Sequence, residues 1–212
     1  MTEVTREQDA LIKQGKMLPV MEHFYTIQGE GAHTGKAAYF IRLAGCDVGC
    51  HWCDVKESWD AELHPLMDME KLAVEASEQC KTIIITGGEP LMWNLEILTK
   101  SLKDRGRTIH IETSGSSPIS GHIDWITLSP KKRKLPLPEV YERASELKMV
   151  IFNNHDFKFA EEEAKKVNPN CRLYLQSEWS KREQNYPKIV EYILANPQWQ
   201  ASVQTHKYLN VR

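Results

Sequence analysis

Long apolar runs are missing: no stretch of the 212 residues approaches the roughly 20 consecutive apolar positions needed to cross a bilayer. A basic-then-apolar leader, internal repeats and low-complexity tracts are missing too. Neither charge sign dominates. A formal net charge of −2 argues against a general polyanion binder, and hence against nucleic acid, while leaving room for a local basic pocket. Cysteine is scarce, and an odd count of 5 does not suit a secreted disulfide framework. The expectation is therefore a cytoplasmic protein without membrane partners. With 41% hydrophobic and 26% charged residues, the chain has ordinary globular composition and the length for one domain with a real core.

Where cysteine does occur, it is concentrated. Cys46, Cys50 and Cys53 stand at C-x3-C-x2-C spacing directly after the apolar run Ala37 to Leu43. One loop can turn three such thiols toward a common centre. Structural zinc asks for four closed ligands, and an electron-transfer cluster usually asks for four cysteines. A three-cysteine loop instead leaves one iron of a four-iron cluster open for chemistry. A zinc half-site completed by His51 or a distant residue, or three unrelated buried thiols, remain the alternatives at this point. Cys80 ends a helical pattern and Cys171 opens a strand pattern, so both read as core thiols.

The remainder alternates strands with helices. Met1 to Lys16 is polar with helical character from Arg6 to Ile12, and residues 1–20 read as an N-terminal extension to a single catalytic domain, 21–212. Strands are expected at Met21–Ile27, Lys36–Leu43, Thr82–Ile85, Thr108–Ile111, Ile123–Leu128, Leu147–Phe152, Arg172–Leu175 and Ala201–Val203. The β-branched run Thr82 to Ile85 marks a strand buried on both faces. Helices are expected at Met69–Gln79 behind the cap Asp68, Asn94–Arg105, Pro138–Glu146, Phe157–Val167 and Tyr186–Asn196. The crossover between Glu112 and Ile123 lacks a helical pattern. About six parallel strands after an initial hairpin, with short crossovers, predict an α/β fold: a shortened, open (β/α)6-type partial TIM barrel.

Polar residues gather at the strand ends, where parallel α/β folds bind ligands. They include Gln28-Gly29-Glu30-Gly31, Arg42, Thr86-Gly87-Gly88-Glu89-Pro90, Glu112-Thr113-Ser114-Gly115, Ser129-Pro130-Lys131 and Gln176-Ser177. The Glu89 carboxylate is a natural partner for a ligand α-amino group, and the fork of Arg42 suits a carboxylate. The basic run Lys131-Lys132-Arg133-Lys134 reads as a solvated loop from which one lysine could face an anionic ligand. Trp179 and Trp199 read as packing residues. The tail Gln204 to Tyr208 either crosses the rim or frays.

Cys46-x3-Cys50-His51-Trp52-Cys53 with Gly87-Gly88-Glu89-Pro90 resembles the radical S-adenosylmethionine (SAM) superfamily. Tyr25-x-Ile27-Gln28-Gly29-Glu30-Gly31, Phe40 to Leu43, Ile111 to Gly115, Leu128 to Lys131 and Gln204 to Asn210 narrow the resemblance to the 7-carboxy-7-deazaguanine synthase family. It covers nearly everything from Glu22 onward, and the combination is far more specific than any one piece. A glycyl-radical activase would share the cluster motif, but the pattern around Gln28 to Glu30 speaks against it.

The resemblance implies a radical SAM lyase of queuosine biosynthesis. One electron from a [4Fe-4S] cluster cleaves SAM, and the adenosyl radical takes the C6 hydrogen of 6-carboxy-5,6,7,8-tetrahydropterin. The ring contracts with loss of ammonia, and SAM is regenerated. Carried over, Cys46, Cys50 and Cys53 hold the cluster. Trp52, Cys53 and Asp54 flank SAM, Gly88 and Glu89 take its methionyl end, and Thr113, Ser129, Pro130, Lys131 and Gln176 line its nucleoside. Ile27, Gln28, Gly29, Arg42 and Thr86 contact the pterin, with Arg42 on its carboxylate, and His206 closes over it. A flavodoxin- or ferredoxin-type reductant and a homodimer are implied as well. One departure stands out. The family's Cys-Asp-Thr, whose threonine ligates Mg²⁺, here reads Cys53-Asp54-Val55, and valine offers no oxygen to a hard cation. Weak or absent Mg²⁺ dependence is the expectation.

Overall fold

The computed structural model describes the backbone from residue 3 and side chains from residue 6, through residue 212; the first two residues of the expected extension lie outside it. Helix α1 (Glu3–Lys13) leads into β1 (Met17–Ile27), which pairs antiparallel with β2 (Ala37–Leu43) on one side and the short β3 (Leu66–Asp68) on the other. From β2 onward every strand pairing is parallel, through β4 (Thr82–Gly87), β5 (Thr108–Thr113), β6 (Trp125–Leu128), β7 (Glu146–Ile151), β8 (Arg172–Ser177) and β9 (Trp199–Ser202). The strand order is β3-β1-β2-β4-β5-β6-β7-β8-β9. Beyond the β1–β2 hairpin, six parallel strands form the open partial barrel that the alternation predicts.

Helices α2 (Met69–Gln79), α3 (Glu96–Asp104), α4 (Pro138–Arg143), α5 (His155–Ala164) and α6 (Arg182–Ala195) cover the sheet, and α7 (Thr205–Leu209) ends the fold. Asp68 caps α2 by accepting from Glu70 N and Lys71 N, both at 3.0 Å. No helix intervenes between β5 and β6, as expected. Ile83, Ile84 and Ile85 of β4 are fully buried, which requires cover on both sheet faces. Each such side chain stabilises the fold by about 1.5–3 kcal/mol relative to exposure.

Several bounds differ from the sequence expectation: α4 ends at Arg143 with Glu146 already in β7, α5 spans His155–Ala164, and β9 starts at Trp199. The sheet begins at Met17, inside the stretch expected to be an extension, and Leu18 and Val20 are core residues. Pro19 is tolerated in β1 because the β1–β2 register shifts between Val20 and Glu22 and its carbonyl still accepts from Ala44 N at 2.9 Å. Helix α6 begins at Arg182 rather than Tyr186 and carries Pro187 inside it. Strand β3 has only three residues and no pattern to announce it.

Candidate active site

Because β2 and β4 to β9 run parallel, their carboxyl ends share one rim. There a cavity of about 290 Å³ is lined from nearly every strand. The cysteine loop follows β2 and is folded against its own downstream segment, Gly45 N donating to Ser58 O at 2.7 Å and Cys46 N to Trp59 O at 3.1 Å. Cys46, Cys50 and Cys53 all line the cavity, and none is in a disulfide. Burial pushes the Cys50 thiol up, as do the neighbouring Cys53 and Cys46, against the opposing charges of Lys131 and Arg133. Cys80 lies by Ala37 and Cys171 precedes β8, at the amino ends of strands. They therefore stand at the opposite end of the sheet, half-buried against the core.

The loop after β4 threads beneath the cysteines. Gly88 N donates to Leu43 O at 3.0 Å and Glu89 N to Gly45 O at 2.8 Å. A Cβ on Gly88 would sit 2.3 Å from Gly45 O and 2.8 Å from Cys46 Cβ, so only glycine permits this approach. Glu89, 1% exposed, accepts from Leu91 N (3.1 Å), Thr113 Oγ1 (2.5 Å), Ser114 N (2.7 Å) and Ser114 Oγ (2.5 Å). A carboxylate offers about four acceptor sites, and protein donors occupy them here. So held, the side chain ties the ends of β4 and β5 together at the cavity wall, where it was expected.

Across the cavity floor runs a charged chain of contacts. Lys148, in the middle of β7 and 5% exposed, donates from Nζ to Glu112 Oε2 at 2.6 Å and also pairs with Glu30. Gln28 Nε2 donates to Glu112 Oε1 at 2.9 Å, and Gln204 Nε2 to Glu30 Oε1 at 2.9 Å. Burial alone would raise the Glu30 carboxyl, but the charge and hydrogen bond of Lys148, with Gln204 and His206, bring it down to about 2. Burial alone would lower Lys148, yet Glu112 and Glu30 hold it above its ordinary value. The floor thus sets the Lys148 ammonium between two carboxyl groups, and at neutral pH Glu30 and Lys148 are both charged.

The walls are more basic. Lys131 Nζ donates to Ser129 O at 2.7 Å and Oγ at 2.6 Å, and lies 5.5 Å from the Trp52 ring centre. Burial lowers its pKa, partly offset by Cys50. Arg42 Nε donates to Glu22 Oε1 at 2.8 Å, and Arg212 also pairs with Glu22 while its guanidinium lies 4.5 Å from the Phe24 ring centre. The tail crosses the rim rather than fraying: Thr205 N donates to Gly29 O at 2.9 Å, and Thr26 Oγ1 to Arg212 O at 2.9 Å. His206 packs so tightly on Gly29 that a Cβ there would meet its Nδ1 at 2.0 Å. Burial lowers the His206 pKa, and Lys207 and Lys148 reinforce that against Glu30 and Asp54. Asp54 Oδ2 accepts from Lys207 Nζ at 2.9 Å. Val55 faces the cavity with no oxygen on its side chain.

Of the residues expected at the site, Ile27, Gln28, Gly29, Arg42, Trp52, Asp54, Thr86, Gly88, Glu89, Thr113, Ser129, Lys131, Gln176 and His206 line this cavity with the three cysteines and Val55; Pro130 does not. The basic run is, as expected, an exposed loop from which one lysine enters the cavity, although its other members have partners. Lys131 turns inward, Lys132 pairs with Asp156, Arg133 with Gly49 O, and Lys134 with Asp47. Trp179, expected to be packing, lines the cavity under Arg182 and Lys207, whereas Trp199 is buried in the core as expected. Sequence reasoning missed Lys148, although a lone lysine in the apolar run Leu147 to Ile151 was its signal.

Residues 40–167 match the radical SAM superfamily. A 7-carboxy-7-deazaguanine synthase of Flavobacterium psychrophilum is 59% identical over 208 residues, covering 98% of this chain and 99% of the relative. One from Synechocystis is 50% identical, covering 92% and 93%. The crystal structure of QueE from Escherichia coli superposes with a TM-score of 0.82 at 30% identity, over 94% of this chain and 99% of that one. With its three-cysteine loop at the rim of a partial barrel and these relatives along its whole length, the chain belongs to the 7-carboxy-7-deazaguanine synthase family of radical SAM proteins.

Proposed function

We propose that residues 17–212 form a 7-carboxy-7-deazaguanine synthase domain. It converts 6-carboxy-5,6,7,8-tetrahydropterin to 7-carboxy-7-deazaguanine with loss of ammonia, as a homodimer in the cytoplasm supplied with electrons by a flavodoxin- or ferredoxin-type protein. The observation that carries this reading is the meeting, in one cavity, of three unpaired thiols with the Glu30–Lys148–Glu112 floor.

The residues fit a [4Fe-4S] cluster and SAM. Three thiols share the rim, and among the described residues no other cysteine is at that end to complete a zinc site. Gly88, Trp52, Ser129, Lys131 and Gln176 would hold SAM, with Glu89 keeping Thr113 and Ser114 in place. When bound, the cluster and SAM supply a carbon radical able to take one hydrogen atom from the substrate. The fit for Mg²⁺ fails. The Val55 side chain has no donor atom, its carbonyl already accepts from Ser58, and the Asp54 carboxylate is engaged by Lys207.

The chain's own work is orientation and exclusion of water. The ionised Glu30, with Glu112 beside it, accepts hydrogen bonds from the N–H edge of the aminopyrimidinone ring. Lys148 Nζ keeps its proton and fixes their separation. Arg42 and Arg212, on the opposite wall, receive the substrate carboxylate in place of a metal. The stacked Phe24 and Phe40, with ring centres 5.6 Å apart, supply an apolar flank. Helix α7 and His206 close the cavity over Gly29.

The test is anaerobic reconstitution followed by incubation with SAM, a reductant and the carboxytetrahydropterin. Product and ammonia in equal amounts are expected, detected by mass spectrometry and an ammonia assay. Reconstituted protein that carries the cluster and cleaves SAM but leaves this pterin intact would overturn the reading.

A further inference from the structure

The cavity uses only the first residue of the basic run. Arg133 Nη1 donates to Gly49 O at 2.6 Å and Lys134 pairs with Asp47, and both partners lie within the loop from Cys46 to Cys53. The run is therefore strapped to the outer side of that loop. Lys132, with its side chain 50% exposed, pairs with the buried Asp156 and lies 5.3 Å from the Phe159 ring centre. Next to it, half-buried Phe152 carries His51 edge-on at 5.2 Å and Lys181 at 5.9 Å from its ring centre. Four cations, Lys132, Arg133, Lys134 and Lys181, thus face two carboxylates, Asp47 and Asp156. This is a local excess of two positive charges on a chain whose formal net charge is −2.

We propose that this patch, with Phe152 at its centre and the four cations around it, is the docking surface for an acidic one-electron carrier of the flavodoxin type. The proposal rests on the radical SAM reading above. A partly exposed aromatic ringed by charges of one sign is the anatomy of a transient, electrostatically steered interface. The remaining surface, net negative, repels an acidic partner and leaves this as the favoured face. His51 and Gly49 lie between the cluster cysteines in the chain, so a carrier seated here delivers its electron beside the thiols. The step is a single outer-sphere transfer. The carrier's flavin hydroquinone is oxidised to the semiquinone, the cluster gains that electron, and no bond forms or breaks. A nucleic acid is the disfavoured occupant, because the patch is small and half of it is neutralised.

The experiment uses purified flavodoxin as the probe with full-length protein, its cluster reconstituted. Calorimetric titration is run at about 0.02 and 0.2 M salt, which shortens the Debye length roughly threefold. Affinity is expected to fall about tenfold between the two, and the Lys132→Gln/Lys181→Gln variant to bind about tenfold more weakly at low salt with most of the salt response gone. Turnover driven by dithionite, which needs no docking surface, should be unchanged in the variant. Wild-type-like flavodoxin binding by the variant overturns the proposal, as does salt-independent binding. So does a salt-dependent affinity for a short RNA, lost in the variant, with none for flavodoxin. If removing Lys132 from Asp156 loosens the start of α5, Lys181→Gln alone carries the test, with about a threefold effect expected. Failure of the parent reading would look different: no product from the wild type with dithionite.

Discussion

The ammonium of Lys148 bridges Glu112 and Glu30, two carboxylates that arrive from opposite parts of the fold, one at the end of β5 and one just past β1. Removing one partner from such a buried group strands the others. Lys148→Met is expected to lower stability by about 3–5 kcal/mol, checked by urea denaturation of the cluster-free protein.

The same network sets a pH response. Glu30 is depressed from its usual 4.5 to about 2, so its contribution to stability is fully present above pH 4.5 and is lost as pH falls toward 2. Unfolding free energies measured across this window should show a slope in the wild type that flattens in Glu30→Gln. An unchanged slope would remove Glu30 as its source.

Glu112→Gln replaces an acceptor facing the substrate with an amide whose single oxygen can keep Lys148 or Gln28 but not both, because the two donate to different carboxylate oxygens. A charge-assisted hydrogen bond of about 1.5–3 kcal/mol is lost, so kcat/KM should drop roughly tenfold to a hundredfold. SAM cleavage in the absence of substrate should stay at the wild-type rate.

Glu89→Gln turns an NH₂ toward donors that already point inward, Ser114 N or Thr113 Oγ1. Loss of about 2–4 kcal/mol is expected, with the β4 and β5 ends loosened and SAM affinity reduced. Thermal melting and SAM titration check this. A variant as stable as the wild type would remove Glu89 as the tie between the two strand ends.

Mg²⁺ should be dispensable. Turnover in the presence of a chelator is expected to match that with added Mg²⁺, whereas Val55→Thr, which supplies the missing oxygen, should acquire a Mg²⁺ response. Steady-state assays of both proteins decide; a strict requirement in the wild type contradicts the reading.

Much of this was legible in the residues. The Thr82 to Ile85 run fixed a doubly covered strand, the C-x3-C-x2-C spacing located the rim, and Asp68 marked the start of α2 where it is found. The starts of β1 and α6 fell outside their expected bounds, and each lies next to a proline that tertiary packing accommodates, Pro19 beside a shifted register and Pro187 inside the helix. Trp179 and Lys148 were misjudged because a side chain's direction depends on which strand end or face it occupies. Three-residue β3 carries too few positions for any periodicity. Glu89 was placed correctly, but its saturation by Thr113 and Ser114 depends on neighbours more than twenty positions away.

The placement of Cys80 and Cys171 at the far end of the strands also bears on what happens in air. Three thiols exposed by oxidative loss of the inorganic core have, among the described residues, no fourth cysteine at their end of the sheet to trap them in a non-native cross-link. Cys171, pushed up to about 12 by burial and by Glu146, offers almost no thiolate for such an exchange. Damage is confined to one segment, and brief exposure should be reparable with a mild thiol reductant, iron and sulfide, without unfolding and refolding the polypeptide.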